Sequence, residues 1–187
     1  MTAMAMAALV SILGFHRQKP IENQLVGIEV GGRTTSINPA MYRHRLDSTT
    51  LWETCNEKAL QIVTVAEEPA LCGYVANVEF SLADNLGACR DPTGALPDLH
   101  IQASTPRGIA LGATEADIRK LYGKPWQAQD TRGEHYLRYR SKLKKHPSGA
   151  KGLVLVFTLR NGKTTSVSLG LTGPMFEKPP KNPKPCP

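Results

Sequence analysis

The dipeptide Asn161-Gly162 joins two alternating stretches, LVLVFTLR from Leu153 to Arg160 and TTSVSLGL from Thr164 to Leu171. Asn-Gly accepts positive φ at both central positions of a type I′ turn, whose twist matches that of paired strands. This stretch therefore reads as an antiparallel hairpin. Side chains alternate across a strand, so Leu153, Leu155, Phe157 and Leu159 form one apolar set. Val167, Leu169 and Leu171 join it from the second strand, while Val154, Val156, Thr158, Arg160, Ser166 and Ser168 point the other way. A second tight turn, Asp130 to Glu134 (DTRGE), separates strands near Trp126–Asp130 and His135–Arg140. There Leu137 and Tyr139 share the core set, and Tyr136, Arg138 and Arg140 point outward. The outward set Tyr136, Arg138, Arg140, Val156, Thr158, Ser166 and Ser168 is the candidate protein-binding face, because Tyr and Arg are enriched in binding hot spots. The competing reading is an ordinary solvated sheet face.

Ahead of these strands, Gly108-Ile109-Ala110-Leu111-Gly112 leads to Thr114, with Asp117 three residues on. That spacing approximates a capping box with Asp in place of Glu or Gln. Ile118, Leu121 and Tyr122 then share one helical face, and Gly123 and Pro125 end the helix. The first half is less regular. Val26 to Gly32 is a glycine-marked strand or turn. Pro39 suits the first position of a short helix ending near His44. Strands are expected at Leu51–Thr54, Leu60–Val65 and Tyr74–Phe80, with Asn56-Glu57-Lys58 turning between the first two. In the third, Tyr74, Ala76, Val78 and Phe80 form the apolar set against Asn77 and Glu79. Residues 82–98 have loop composition and mark a boundary, and Leu99–Ala103 is one further strand.

Both halves carry Gly-Ile-x-x-Gly (Gly27 to Gly31, Gly108 to Gly112), a later tyrosine (Tyr42, Tyr122) and a tryptophan strand (Trp52, Trp126). The expected fold is α+β: an antiparallel sheet with short helices on one face, built as a tandem duplication. The divisions are a signal-like apolar segment at 1–19, a first unit at 20–103, a second at 104–173 and a Pro/Lys-rich tail at 174–187.

The chain's 187 residues carry a formal charge of +7, much of it in the run from Arg138 to Lys145 and in the tail. That favours acidic partners without naming one. Electrostatic binding of nucleic acid or anionic lipid through residues 138–151 is the alternative function. The run SKLKKHPSGAK lacks the interleaved aromatics of a single-strand binder and reads as a mobile basic loop, which disfavours nucleic acid and leaves a membrane surface open. The four cysteines, Cys55, Cys72, Cys89 and Cys186, have no Cys-x-x-Cys spacing and no adjacent histidine, which argues against zinc. They are compatible with two disulfides in an oxidising compartment, in any of three pairings, or with four thiols in a cytoplasmic chain. The apolar run at residues 1–14 resembles the hydrophobic region of a signal peptide, although no basic segment precedes it, and favours a periplasmic or secreted location. The histidines are scattered, no serine lies in Gly-x-Ser-x-Gly, and neither glycine cluster ends in Lys-Ser/Thr. The expectation is a non-enzymatic chain without cofactor or metal.

The string G-I-x-L-G-x-T-x-x-D-I-R-K-L-Y-G-K-P from Gly108 to Pro125, with the strands from Tyr136 to Leu169, resembles the SmpA/OmlA outer-membrane lipoprotein family. It is also similar to the wider group with the fold of beta-lactamase inhibitor protein. The resemblance covers under half of the chain. It implies a helix-pair-and-sheet unit that, where repeated, gives one long antiparallel sheet with helices on one face, an extracytoplasmic location, and binding of a protein or an envelope component in place of catalysis. This sequence departs from the family in two places. No lipid-acceptor cysteine stands near the start, and His44 to Leu46 replaces the helix-Gly-x-Pro ending in the first half.

Overall fold

The computed structural model describes residues 20–46, 50–56, 58–67, 73–83, 89–91, 94–97, 102–147 and 149–173. The segment 1–19, the tail 174–187, Cys72, Cys186 and most of the strand expected at Leu99–Ala103 lie outside the described residues. The chain opens with a small hairpin, β1 (Gln24–Leu25) and β2 (Ile28–Glu29). Four strands follow: β3 (Arg43–Leu46), β4 (Thr50–Asn56), β5 (Gln61–Glu67) and β6 (Val75–Leu82). A second small hairpin pairs β7 (Arg90–Asp91) with β8 (Gly94–Ala95). Then come helix α1 (Glu115–Tyr122) and the strands β9 (Gln127–Thr131), β10 (Glu134–Lys142), β11 (Gly152–Arg160) and β12 (Lys163–Thr172).

The long strands form one antiparallel sheet of eight, in the order β3-β4-β5-β6-β12-β11-β10-β9. Two four-stranded meanders thus meet at their last strands, and the β6·β12 seam carries Val167 opposite Phe80 and Leu169 opposite Val78. Turn chemistry sets the meander at β9–β12. Arg132 and Gly133 have φ of 53° and 81°, and Asn161 and Gly162 have φ of 52° and 72°, as two-residue hairpins require. At each end of the seam a glycine segment takes over the pairing. Gly31 N–H donates to Val75 O at 2.8 Å, and Val75 N–H to Gly32 O at 2.9 Å. Gly112 N–H donates to Thr164 O at 2.8 Å, and Thr164 N–H to Ala113 O at 2.9 Å.

One face of the sheet is the core. Cross-strand rows such as Leu137–Phe157–Val167–Phe80–Val63 and Tyr139–Leu155–Leu169–Val78–Val65 are fully buried. Helix α1 covers the β10–β11 part of that face. Tyr122 meets Tyr139 and Phe157 with ring centroids 5.4 and 5.2 Å apart, and Ile118 is buried beside it. The helix starts where expected. Thr114 Oγ1 accepts from Asp117 N–H and the Asp117 carboxylate accepts from Thr114 N–H, so the capping box is complete.

Three local expectations are corrected. The helix from Pro39 to His44 does not form. The Asn38 side chain accepts from Ala40 N–H at 3.0 Å and its carbonyl from Met41 N–H at 3.0 Å, which closes a turn, and β3 already begins at Arg43. A 3-10 turn at Thr34–Ser36 precedes it, so α1 is the one α-helix among the described residues. The first half is instead covered by Leu25 and Ile28 of the small hairpin and by Val30, Ile37 and Tyr42 from irregular chain, all buried. In β6 the register shifts opposite Ala66 and Glu67, so Val75 is buried with Val78 and Phe80, while Tyr74 and Ala76 are only half-buried. A bulge adds one residue and exchanges the faces on either side of it. Trp52 and Trp126 are not counterparts: Trp52 lies in β4 opposite Val65, whereas Trp126 precedes β9 and is 48% exposed.

Candidate functional site: the outer face of the sheet

The residues opposite the core rows form the outer face. Tyr136, Thr158 and Ser166 lie side by side across β10, β11 and β12, and the row continues to Ser81 of β6. Arg138, Val156 and Ser168 form the next row, continuing to Glu79. Arg140, Val154 and Gly170 form the third, continuing to Asn77. All seven residues expected on this face are therefore brought together.

Aromatic rings hold the arginines. Arg138 stacks over the Tyr136 ring at 5.2 Å and Arg140 over the Trp126 indole at 4.4 Å. Each such contact is worth about 0.5–1 kcal/mol at an exposed site. Its larger effect is to restrict long side chains before any partner arrives. The Tyr136 hydroxyl donates to the Glu134 carboxylate, which also accepts from Arg160 at 2.8 Å. The bond from Tyr136, followed by that from Arg160, holds the Glu134 carboxyl below its usual range, and the same Glu134 contact raises the Tyr136 hydroxyl. In the middle of the face Ser166 Oγ donates to Glu79 at 2.7 Å and Ser168 Oγ to Asn77 at 3.2 Å.

The face is not uniform. A groove of about 560 Å³ lies over Glu79, Ser81, Glu134, Tyr136, Thr158 and Ser166. A second groove, of about 490 Å³, lies at the other end, over Trp126, Arg140, Lys142, Lys151, Gly152 and Val154. The first carries two carboxylates and Arg160, and the charged residues of the second are all cations.

At the Cys55 corner of β4–β5 the outer face is covered. Cys55 and Cys89 form a disulfide with Cα atoms 5.5 Å apart, and Leu96 and Ile62 pack on it. Pro97 O accepts from Cys55 N–H at 2.9 Å and from Thr54 Oγ1 at 2.7 Å, which ties the β7–β8 segment to β4.

The basic loop between β10 and β11 is tied down at its tip. His146 Nε2 lies 3.0 Å from Gly31 O, and its ring meets Tyr74 at 5.5 Å, so the loop is anchored to the first half of the chain. Among the described residues no group of three or more His, Cys, Asp or Glu is placed to hold a metal ion, and no helix is long and apolar enough to cross a membrane.

Sequence reasoning missed Trp126, Lys142 and Lys151 as members of this face, together with Asn77, Glu79 and Ser81. Asn77 and Glu79 had been read as the polar side of their strand. Nothing local links them to β12, because that pairing joins residues 87 and 91 positions apart, as the Ser166–Glu79 and Ser168–Asn77 contacts do. Comparison of this chain with protein-family models, with curated proteins and with solved structures returns no match.

Proposed function

We propose that this chain is a non-enzymatic, extracytoplasmic binding protein that takes another protein, or an envelope component, on the outer face of its sheet. The observation that carries the reading is the pair of arginine–aromatic stacks, Arg138 on Tyr136 and Arg140 on Trp126, beside half-exposed Val154 and Val156 on an open face. Preordered Tyr, Trp and Arg next to apolar surface are what binding hot spots are made of. The Cys55–Cys89 pair is compatible with an oxidising compartment.

The resemblance to the SmpA/OmlA family and to the beta-lactamase inhibitor protein fold belongs to the same proposal, as does a tandem duplication over 20–103 and 104–173. The mirrored strand order supports the duplication. So does the equivalence of Gly31 and Gly112, with φ of 86° and 84°, each bonded to the opening residues of the last strand of its meander.

The test replaces Tyr136, Arg138 and Arg140 together by alanine. The melting temperature should change by no more than a few degrees, since surface changes of this kind stay near ±0.5 kcal/mol each. A partner cross-linked to the native chain from envelope extracts should be lost. A partner retained at native levels removes the face from consideration. Binding to nucleic acid or anionic vesicles that falls steeply with salt, and persists in the triple variant, would favour the electrostatic alternative through the rest of 138–151.

A further inference from the structure

We propose that the cationic groove at the β9 end of the outer face receives an acidic, extended segment of a protein partner, with a carboxylate seated among Arg140, Lys142 and Lys151. This rests on the reading of the outer face as a binding surface and specifies what it binds.

The groove exists because the sheet lacks a side chain at Gly152. Row by row, Arg140 is followed by Val154 and Gly170, and Lys142 by Gly152 and Thr172. The depression at Gly152 is built in: a Cβ there would sit 2.5 Å from the Ser141 carbonyl oxygen. Cations stand on its rim and no carboxylate lines it among the described residues. The Arg140 guanidinium carbon stands 4.4 Å from the centroid of the exposed Trp126 ring. A guanidinium held over a ring can still grip a carboxylate through its edge with two parallel hydrogen bonds.

Two observations select an extended peptide over a polyanion or a membrane surface. First, Trp126 leads directly into β9, the edge strand of the sheet, and all of Gln127–Thr131 is exposed. Its sequence, QAQDT, has neither the lysine nor the proline that commonly blocks strand addition, so its outward backbone groups can pair with an added strand. Second, at the far groove Glu79 and Glu134 stand with Arg160, which is paired to Glu134, so the unbalanced positive charge lies at the β9 end alone. A uniformly anionic surface would gain at that end only. A peptide with its acidic residues at the groove end matches the whole face.

The test uses the full chain and two fluorescein-labelled peptides of about ten residues, one alternating Glu with Val and one alternating Lys with Val, read by anisotropy at low salt. The native chain should prefer the Glu peptide by at least about tenfold, and Arg140→Glu/Lys142→Glu/Lys151→Glu should reverse that preference. Trp126→Ala should weaken the Glu peptide several-fold, with far-UV circular dichroism unchanged in both variants. Equal affinity for the two peptides overturns the inference. So does a preference that survives the charge reversal, or displacement of the peptide by phosphatidylglycerol vesicles. An outer-face partner lost in the Tyr136/Arg138/Arg140 variant but indifferent to Lys142→Glu/Lys151→Glu would leave the binding face standing and sink the acidic segment. A partner indifferent to both sets would sink both.

Discussion

Tyr42 and Tyr139 are buried, and burial pushes both hydroxyls up to about 12 from the ordinary 10. The reason is that a phenolate loses its hydration in the core. The sign follows from the raised folded value. The stabilisation is complete below about pH 10, where both states hold the proton, and is lost as pH rises toward about 12. The urea midpoint should therefore fall between about pH 10 and about pH 12, with a smaller fall in Tyr42→Phe and in Tyr139→Phe. A midpoint that stays level over that range would show that these hydroxyls reach water. Tyr139 also donates to the Gly123 carbonyl at 3.1 Å, so its substitution tests the helix end as well as the core.

Helix α1 is eight residues long, too short to persist by propensity alone, and depends on its ends and its buried face. Thr114→Ala removes one half of the capping box and should cost about 1 kcal/mol at neutral pH, read as a lower urea midpoint. The Thr114 side chain and backbone hold the Asp117 carboxyl below its ordinary 3.8. That contribution is present above the unfolded value and is lost as pH falls through the lower folded value, so native protein should lose stability in acid faster than Thr114→Ala does. Parallel acid profiles for the two proteins would contradict the assignment. The same helix shows what pattern reading can reach. Thr114, Asp117, Ile118, Tyr122 and Gly123 act within one or two turns of each other, and local spacing is enough to specify them. The region around Pro39 failed for the opposite reason. An Asx turn at Asn38 and the burial of Tyr42 compete with a helix, and only the second depends on a distant partner.

For the whole molecule, the disulfide between Cys55 and Cys89 spans 34 residues and fixes the β7–β8 segment to β4. Loop-closure entropy for that span gives about 3–4 kcal/mol, so Cys55→Ala/Cys89→Ala should lower the melting temperature clearly even though the strands remain paired. Indifference of the melting temperature to the substitution, or to reduction, would mean that the link does not constrain the unfolded chain. Its placement matters for function as well. By covering Cys55 and packing on Ile62 it shields one corner of the outer face, and the two halves become unequal although their strand order mirrors.

The sequence alone determined what depends on neighbours in the chain. The Asn161-Gly162 turn, the alternation of Leu153 to Leu159 and the capping of α1 follow from backbone conformation and side-chain period. They sufficed to separate Tyr136, Arg138, Arg140, Val156, Thr158, Ser166 and Ser168 from the core. Only the tertiary structure decided that β6 pairs with β12, that Trp126 lies under Arg140, and that Cys89 is the partner of Cys55. Each of these joins residues whose separation in the chain is bridged by packing and not by local geometry. No turn rule or periodicity encodes such contacts, because their free energy comes from the surface buried once the whole sheet has assembled.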